Sequence, residues 1–146
     1  MQPGIHLSKV WFDEDVVELE VGVSDGTSFF SNRVYVGHEH LAEIASVLDE
    51  FKHQIHGRLF ELRLGEFGWE YANGGFHARF RWTPSRLYVT CDQESEFEEF
   101  GNRQVASRAT IYLSSDAAPF DRFVAELQSL VSGASDDAHL EAIMTA

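Results

Sequence analysis

The chain has 146 residues, 44% of them hydrophobic and 13% aromatic, enough to fill one core and too many for a disordered chain. A formal net charge of -13 weighs against nucleic acid and anionic membrane as partners, and no apolar run nears the roughly 18 residues needed to cross a bilayer. The opening MQPGIHLSKVW lacks the apolar stretch of a signal peptide, and Cys91 has no second cysteine to bond, so the expected location is cytoplasmic.

Ile5 to Phe12 reads as a first strand. VVELEVGVSDGTSFFSNRVYV then places two alternating runs around Asp25-Gly26, a pair favoured in two-residue hairpin turns. That turn predicts Val21 opposite Phe30, Leu19 opposite Asn32 and Val17 opposite Val34 on one face, with Glu18 opposite Arg33 on the other. From Glu39 to His56 the period changes. Leu41, Ile44, Leu48, Phe51 and Ile55 form the stripe of an amphipathic helix, which Gly57 would stop. RLFELRL returns to period two, with Phe60, Leu62 and Leu64 on one side and Glu61 and Arg63 on the other. GEFGWEYANGG is a glycine-rich aromatic connector with room for a short strand at Phe67 to Tyr71.

FHARFRWTPSRLYV is a second hairpin. With Pro84-Ser85 as its turn, Trp82 faces Leu87, Phe80 faces Val89 and Ala78 faces Cys91 across a wholly apolar side, where the Cys91 thiol is structural rather than reactive. The other side carries His77, Arg79, Arg81, Tyr88, Thr90 and Asp92. DQESEFEEFGN reads as a solvated loop pinned by Phe97 or Phe100, and VASRATIYL as a strand with Arg108 and Tyr112 on its polar side. A second helix starts near Ser115-Asp116, tolerates Pro119 in its first turn, and carries the stripe Phe120, Phe123, Val124, Leu127 and Leu130.

The expected fold is α+β: a mostly antiparallel sheet of six or seven strands in the order β-β-β-α-β-β-β-α, with both helices packed on one face. Residues 1–133 form a single domain in this reading, and residues 134–146 a C-terminal tail or short helix.

Several chemistries fail on spacing. His38 and His40 stand 13 or more residues before His53 and His56, about 20 Å along a helix, so the two pairs cannot share one metal ion and no metal is expected. Asp92, Glu94 and Glu96 alternate as in a calcium loop, but Phe97 and Arg103 stand where glycine and a bidentate acid belong. No nucleophile elbow, phosphate loop or dinucleotide fingerprint is present, and no spacing singles out a catalytic acid–base pair. No cofactor and no catalytic residue are therefore expected. GGFHARF has the look of an RNA-recognition strand, but its aromatics fall on the apolar side with Ala78.

Positive charge concentrates in the middle of the chain. Residues 58–115 hold seven of the 11 basic residues, all arginine. By register Arg63, Arg79, Arg81 and Arg108 share one sheet face with His77, Tyr88 and Tyr112, and Arg and Tyr are enriched at binding hot spots. Those seven residues are the candidate binding face. The competing reading is a solvated face whose arginines pair with Glu61, Asp92 and loop carboxylates.

The order of elements, the early hairpin, GGFHARFRW after a glycine turn and the ending YLSSDAAPFDRFVAELQSL resemble the WapI-type immunity family of small bacterial proteins over residues 15–131. Asp116 and Phe120 fill the places of that family's Asp and helix phenylalanine, while Ala117 stands where members often carry Gln. The resemblance implies a bacterial, non-catalytic protein that binds and neutralises a toxin, and an acidic surface suits a basic toxin domain. The alternative is a small-ligand module or enzyme acting on an anionic ligand at the Arg/Tyr face, or at the connector around Trp69 and Tyr71.

Overall fold

The structure, a computed structural model, describes residues 2–52, 59–69 and 74–143. Alternating apolar and polar residues build its strands, and the main strands turn their apolar sides to a common core. In chain order, β1 (Gly4–Phe12), β2 (Val16–Ser24) and β3 (Phe29–Gly37) precede α1 (His38–Phe51). There follow β4 (Leu59–Gly65), β5 (Gly75–Trp82), β6 (Leu87–Glu94), β7 (Glu98–Phe100), β8 (Arg103–Val105) and β9 (Arg108–Ser115). α2 (Ala117–Ser132) and β10 (Asp137–Glu141) come last. The first sheet runs β10-β1-β2-β3, the second β4-β5-β6-β9, and β7-β8 is a two-stranded ribbon. Every pairing is antiparallel. Among the described residues no helix is long and apolar enough to cross a membrane.

The chain is thus α+β with two helices and antiparallel strands, as expected. The single sheet of six or seven strands is corrected: among the described residues ten strands form three sheets. Width supplies the reason. Eight strands spaced about 4.8 Å apart would span close to 40 Å, whereas two helices, each about 10 Å across, cover only half of that. Division into two sheets lets both apolar faces join one cluster with the stripes of α1 and α2. Phe51 of α1 is its hub, with its ring 5.7 Å from Phe60, 6.5 Å from Phe80, 6.3 Å from Trp82 and 5.9 Å from Phe120.

The β2–β3 register differs by two residues from the expected one. Val21 lies opposite Asn32, Leu19 opposite Val34 and Val17 opposite Val36, while Arg33 faces Glu20 rather than Glu18. The turn is the cause. Asp25 Oδ1 accepts the N–H groups of Thr27 and Ser28 at 2.8 and 2.7 Å, so residues 25–28 form the loop in place of a two-residue turn. Because the shift is even, every side chain keeps its expected face. The β5–β6 hairpin has the expected register, with Thr83 N–H bonded to Arg86 C=O at 2.8 Å across Pro84-Ser85.

α1 as described ends at Phe51, so the expected continuation through His53, Ile55, His56 and Gly57 lies outside the described residues. α2 ends at Gly133, whose φ of 86° suits glycine. The Ala134 N–H closes back onto Ser129 C=O at 2.9 Å, reversing the chain. The expected C-terminal tail or short helix is instead β10, a correction that follows from this reversal. Ala138 and Leu140 alternate, both are buried, and they complete the apolar face of the first sheet against β1. On the opposite side of the same pair the rings of His6 and His139 stack at 3.9 Å.

Two seams join the sheets. At one, Ser115 Oγ donates to Glu141 C=O at 2.7 Å and Ile143 N–H to Ser114 C=O at 2.8 Å, tying β9 to the end of the chain. At the other, two buried amides interlock. Asn32 Nδ2 of the first sheet donates to the carbonyls of Gly75 and Glu94 at 3.2 and 2.9 Å. Gln93 Nε2 of the second donates to the carbonyls of Val21 and Phe30, both at 3.2 Å, and to Asn32 Oδ1 at 2.9 Å.

Equilibrium denaturation tests both the core and the seam. Phe80→Ala is expected to destabilise by about 3–5 kcal/mol through the cavity it leaves under Phe51. Asn32→Ala and Gln93→Ala should each cost about 1–3 kcal/mol by stranding buried polar partners, and the double variant should cost less than their sum. Additive losses would mean that the two amides do not act as a unit.

Candidate functional site

The antiparallel register of the second sheet decides what faces outward. Glu61 and Arg63 of β4 lie opposite Arg79 and His77 of β5. Across β6, His77 pairs with Asp92, Arg79 with Thr90 and Arg81 with Tyr88. β9 sets Tyr112 opposite Thr90, Thr110 opposite Asp92 and Arg108 opposite Glu94. Directly opposed residues share a face, so Arg63, His77, Arg79, Arg81, Tyr88, Arg108 and Tyr112 all stand on the outer surface of this sheet.

The face has two unlike halves. At the end near the β4–β5 connector it is closed around Glu94, an acid outside the seven candidates. Glu94 is 1% exposed although it stands on the outer side. Its Oε2 lies 2.6 Å from Arg108 Nε, and its Oε1 accepts the Gly68 N–H at 2.8 Å. The Phe67 ring stacks on His77 at 4.1 Å, and Thr110 Oγ1 donates to Asp92 at 2.6 Å. Only glycine permits this cover, because a Cβ on Gly75 would stand 2.8 Å from the Phe67 ring. The arrangement follows from Gly68, Phe67 and Gly75, whose spacing carries no motif. The one signal available was an acid at the end of the outer-face series Tyr88, Thr90, Asp92, Glu94.

At the other end the face is open. Among the described residues neither Arg79 nor Arg81 has a carboxylate partner. Glu61, directly across from Arg79, instead pairs at 3.1 Å with Arg63 on its own strand. The Arg81 guanidinium sits 5.5 Å from the centre of the Tyr88 ring, a cation–π contact. Tyr88 and Tyr112 are 42% and 71% exposed. The solvated-pair reading therefore describes Arg63, whereas Arg108 is held by a buried acid and Arg79 and Arg81 form no ion pair among the described residues. A shallow hollow of about 230 Å³ lies beside Arg79, and Glu61 and Asp92 contribute to its lining together with Arg63 and His77.

The remaining chemistry-bearing residues are engaged in structure. His38 Nε2 meets Asp13 C=O at 2.7 Å and His40 Nε2 meets Arg63 C=O at 3.2 Å. His53, His56 and Tyr71 lie outside the described residues, and Trp69 is 74% exposed. Among the described residues no group of three or more His, Cys, Asp or Glu is placed to hold a metal ion. Cys91 is buried, and burial pushes its thiol far above the ordinary range, which leaves it unreactive.

His77 is held below the ordinary histidine range, first by burial and second by the nearby Arg63 charge. Its Nε2 is buried without a hydrogen-bond partner among the described residues. His139 is lowered in the same direction by burial and by His6.

No family model matches the chain, and comparison with curated proteins and with solved structures likewise finds no match.

The two lowered histidines give a signed pH dependence. The unfolded chain takes up these protons near pH 6.5, before the folded state does, so acid favours unfolding. Their contribution to stability is present above about pH 6.5 and is lost as pH falls through the lower folded values. Denaturation curves should show stability declining from about pH 7.5 to pH 5, with a shallower slope in His77→Phe, which keeps a ring against Phe67 but cannot titrate. Identical slopes for variant and wild type would remove His77 from this account.

Proposed function

We propose that this chain is a non-catalytic bacterial interaction protein of immunity type. It docks a protein partner of net positive charge, such as a basic toxin domain, on the outer face of the second sheet. The observation that carries the reading is the Arg79–Arg81 pair. In a chain with 24 acidic and 11 basic side chains, two arginines on one strand lack a carboxylate partner among the described residues and share their face with two exposed tyrosines. A guanidinium without an acid is available to a carboxylate or a backbone carbonyl on a partner, and Tyr88 and Tyr112 offer rigid contact area at small entropic cost. The sheet fixes the backbone positions of all four before binding, and the Arg81 guanidinium already rests by the Tyr88 ring. The negative charge elsewhere speeds encounter with a basic partner.

An anionic small ligand fits less well. The hollow beside Arg79 is shallow and includes the carboxylates of Glu61 and Asp92, which would repel an anion placed there.

A bait of the intact chain in lysate of its native host supplies the partner, and calorimetry then measures the complex. Arg79→Ala with Arg81→Ala should leave the melting temperature nearly unchanged, since exposed charges contribute about 0–1 kcal/mol each. The same double variant should lose more than about 2 kcal/mol of binding free energy. Unaltered affinity for every partner would show that the arginines are merely solvated.

A further inference from the structure

The β6–β9 connection is longer than the sheet requires. Glu94 and Arg108 already form the last rung of the ladder, and a hairpin loop of about 2–5 residues would join them. Residues 95–107 instead build the β7–β8 ribbon, which replaces the solvated loop expected from DQESEFEEFGN. Its base is fixed: Ser95 N–H donates to Ser107 C=O and Ser107 N–H to Ser95 Oγ, both at 2.9 Å, next to the rung where exposed Arg108 meets buried Glu94. Its tip is free. Gly101 turns the chain with φ 67° in open space, and Phe100 is 70% exposed, so it does not serve as a core anchor for the ribbon. A large exposed aromatic on a firmly based projection is unfavourable in isolation and characteristic of a contact element.

The ribbon's charges indicate what it contacts. Glu98 lies opposite Val105, Glu99 opposite Gln104 and Phe100 opposite Arg103, so neither glutamate has a base across the ribbon. Glu96 adds a third exposed acid at the base of β7. A second copy of this chain would set these acids against one another, and phosphates would be repelled in the same way. Positive charge around an apolar pocket is the complement.

We infer that the β7–β8 ribbon is the leading recognition element for a basic protein segment, with Phe100 entering an apolar pocket and Glu98 and Glu99 pairing with flanking Lys or Arg. The inference rests on the basic-partner reading above and adds a second contact surface, continuous with the outer face of the second sheet through β6 and β9. It explains how an arginine-bearing face and an acidic protein can serve one partner: the acids reach the partner's basic surface through the ribbon at one end of the sheet, and the arginines meet a carboxylate or carbonyl at the other.

The probe is a phage-displayed library of random peptides selected on the intact chain. Selected peptides should combine Lys or Arg with an aromatic or aliphatic residue. Their affinity should fall by about ten-fold or more in Phe100→Ala and in Glu98→Lys with Glu99→Lys, and hold in Phe100→Trp. Glu43→Lys with Glu50→Lys, an equal charge change on the exposed side of α1, should alter it less than about two-fold at moderate salt. Selection of no peptide, of peptides without basic residues, or of peptides indifferent to the ribbon changes would overturn the inference. With the native partner in hand, binding lost in Arg79→Ala/Arg81→Ala but kept in Phe100→Ala sinks the ribbon alone. Binding kept in both variants sinks the docking face as well.

Discussion

The interlocked amides of Asn32 and Gln93 are the constraint on which the rest of the structure depends. Each side chain crosses from its own sheet to bond backbone carbonyls of the other, and the two also bond each other at 2.9 Å. Both residues are buried, so a mismatch would leave several polar groups without water or partner. The pair therefore selects one relative placement of the sheets, which apolar packing alone would leave less sharply defined. It also locks the register of β6. A slip of one residue would send Gln93 outward and bring the Glu94 carboxylate into the core.

Everything on the outer face of the second sheet follows from that placement. With Gln93 inward, Glu94 points outward, yet the connector ahead of β5 folds over it and excludes water. Gly68 and Arg108 then become necessary partners, since a carboxylate at 1% exposure is tolerated only when its charge is matched. Gly74 makes the approach possible: it adopts φ 84°, and a side chain there would run into the Glu94 carbonyl. Phe67 is carried onto His77 by the same fold of the chain. One end of the face is consumed by structure, and the unpaired arginines and exposed tyrosines are left at the other.

The charge distribution acquires meaning only at this level. Counted along the chain, arginines in the middle third nearly balance the acids around them. In space they do not behave alike. Arg33, Arg63, Arg86, Arg108 and Arg122 each lie within 4.0 Å of an acid, whereas Arg79 and Arg81 have none within that distance among the described residues. Glu96, Glu98 and Glu99 project on the ribbon beyond the opposite, closed end of the sheet. A surface that sets positive charge at one end of a sheet and negative charge beyond the other favours one orientation of a partner over others, which is specificity more than raw affinity.

The sequence by itself determined the faces. Periods of two and of three to four residues separate core from surface in β2, β3, β4, β5, β6 and both helices, because alternation and the amphipathic stripe are local properties of the backbone. The seven residues Arg63, His77, Arg79, Arg81, Tyr88, Arg108 and Tyr112 could be placed on one surface for the same reason, and even the wrong β2–β3 register kept its sides because the error was even. Only the tertiary structure decided which strands pair, that eight of them divide into two sheets, and that Ala138 and Leu140 join the first as β10. Pairing between distant strands depends on side chains that meet across long sequence separations, such as Asn32 with Gln93 and Glu94 with Gly68, and no local period records those meetings. The same limit separates the free arginines from the bound ones. An arginine's place on a face is written in its neighbours two residues away, but its acid comes from wherever the fold brings one.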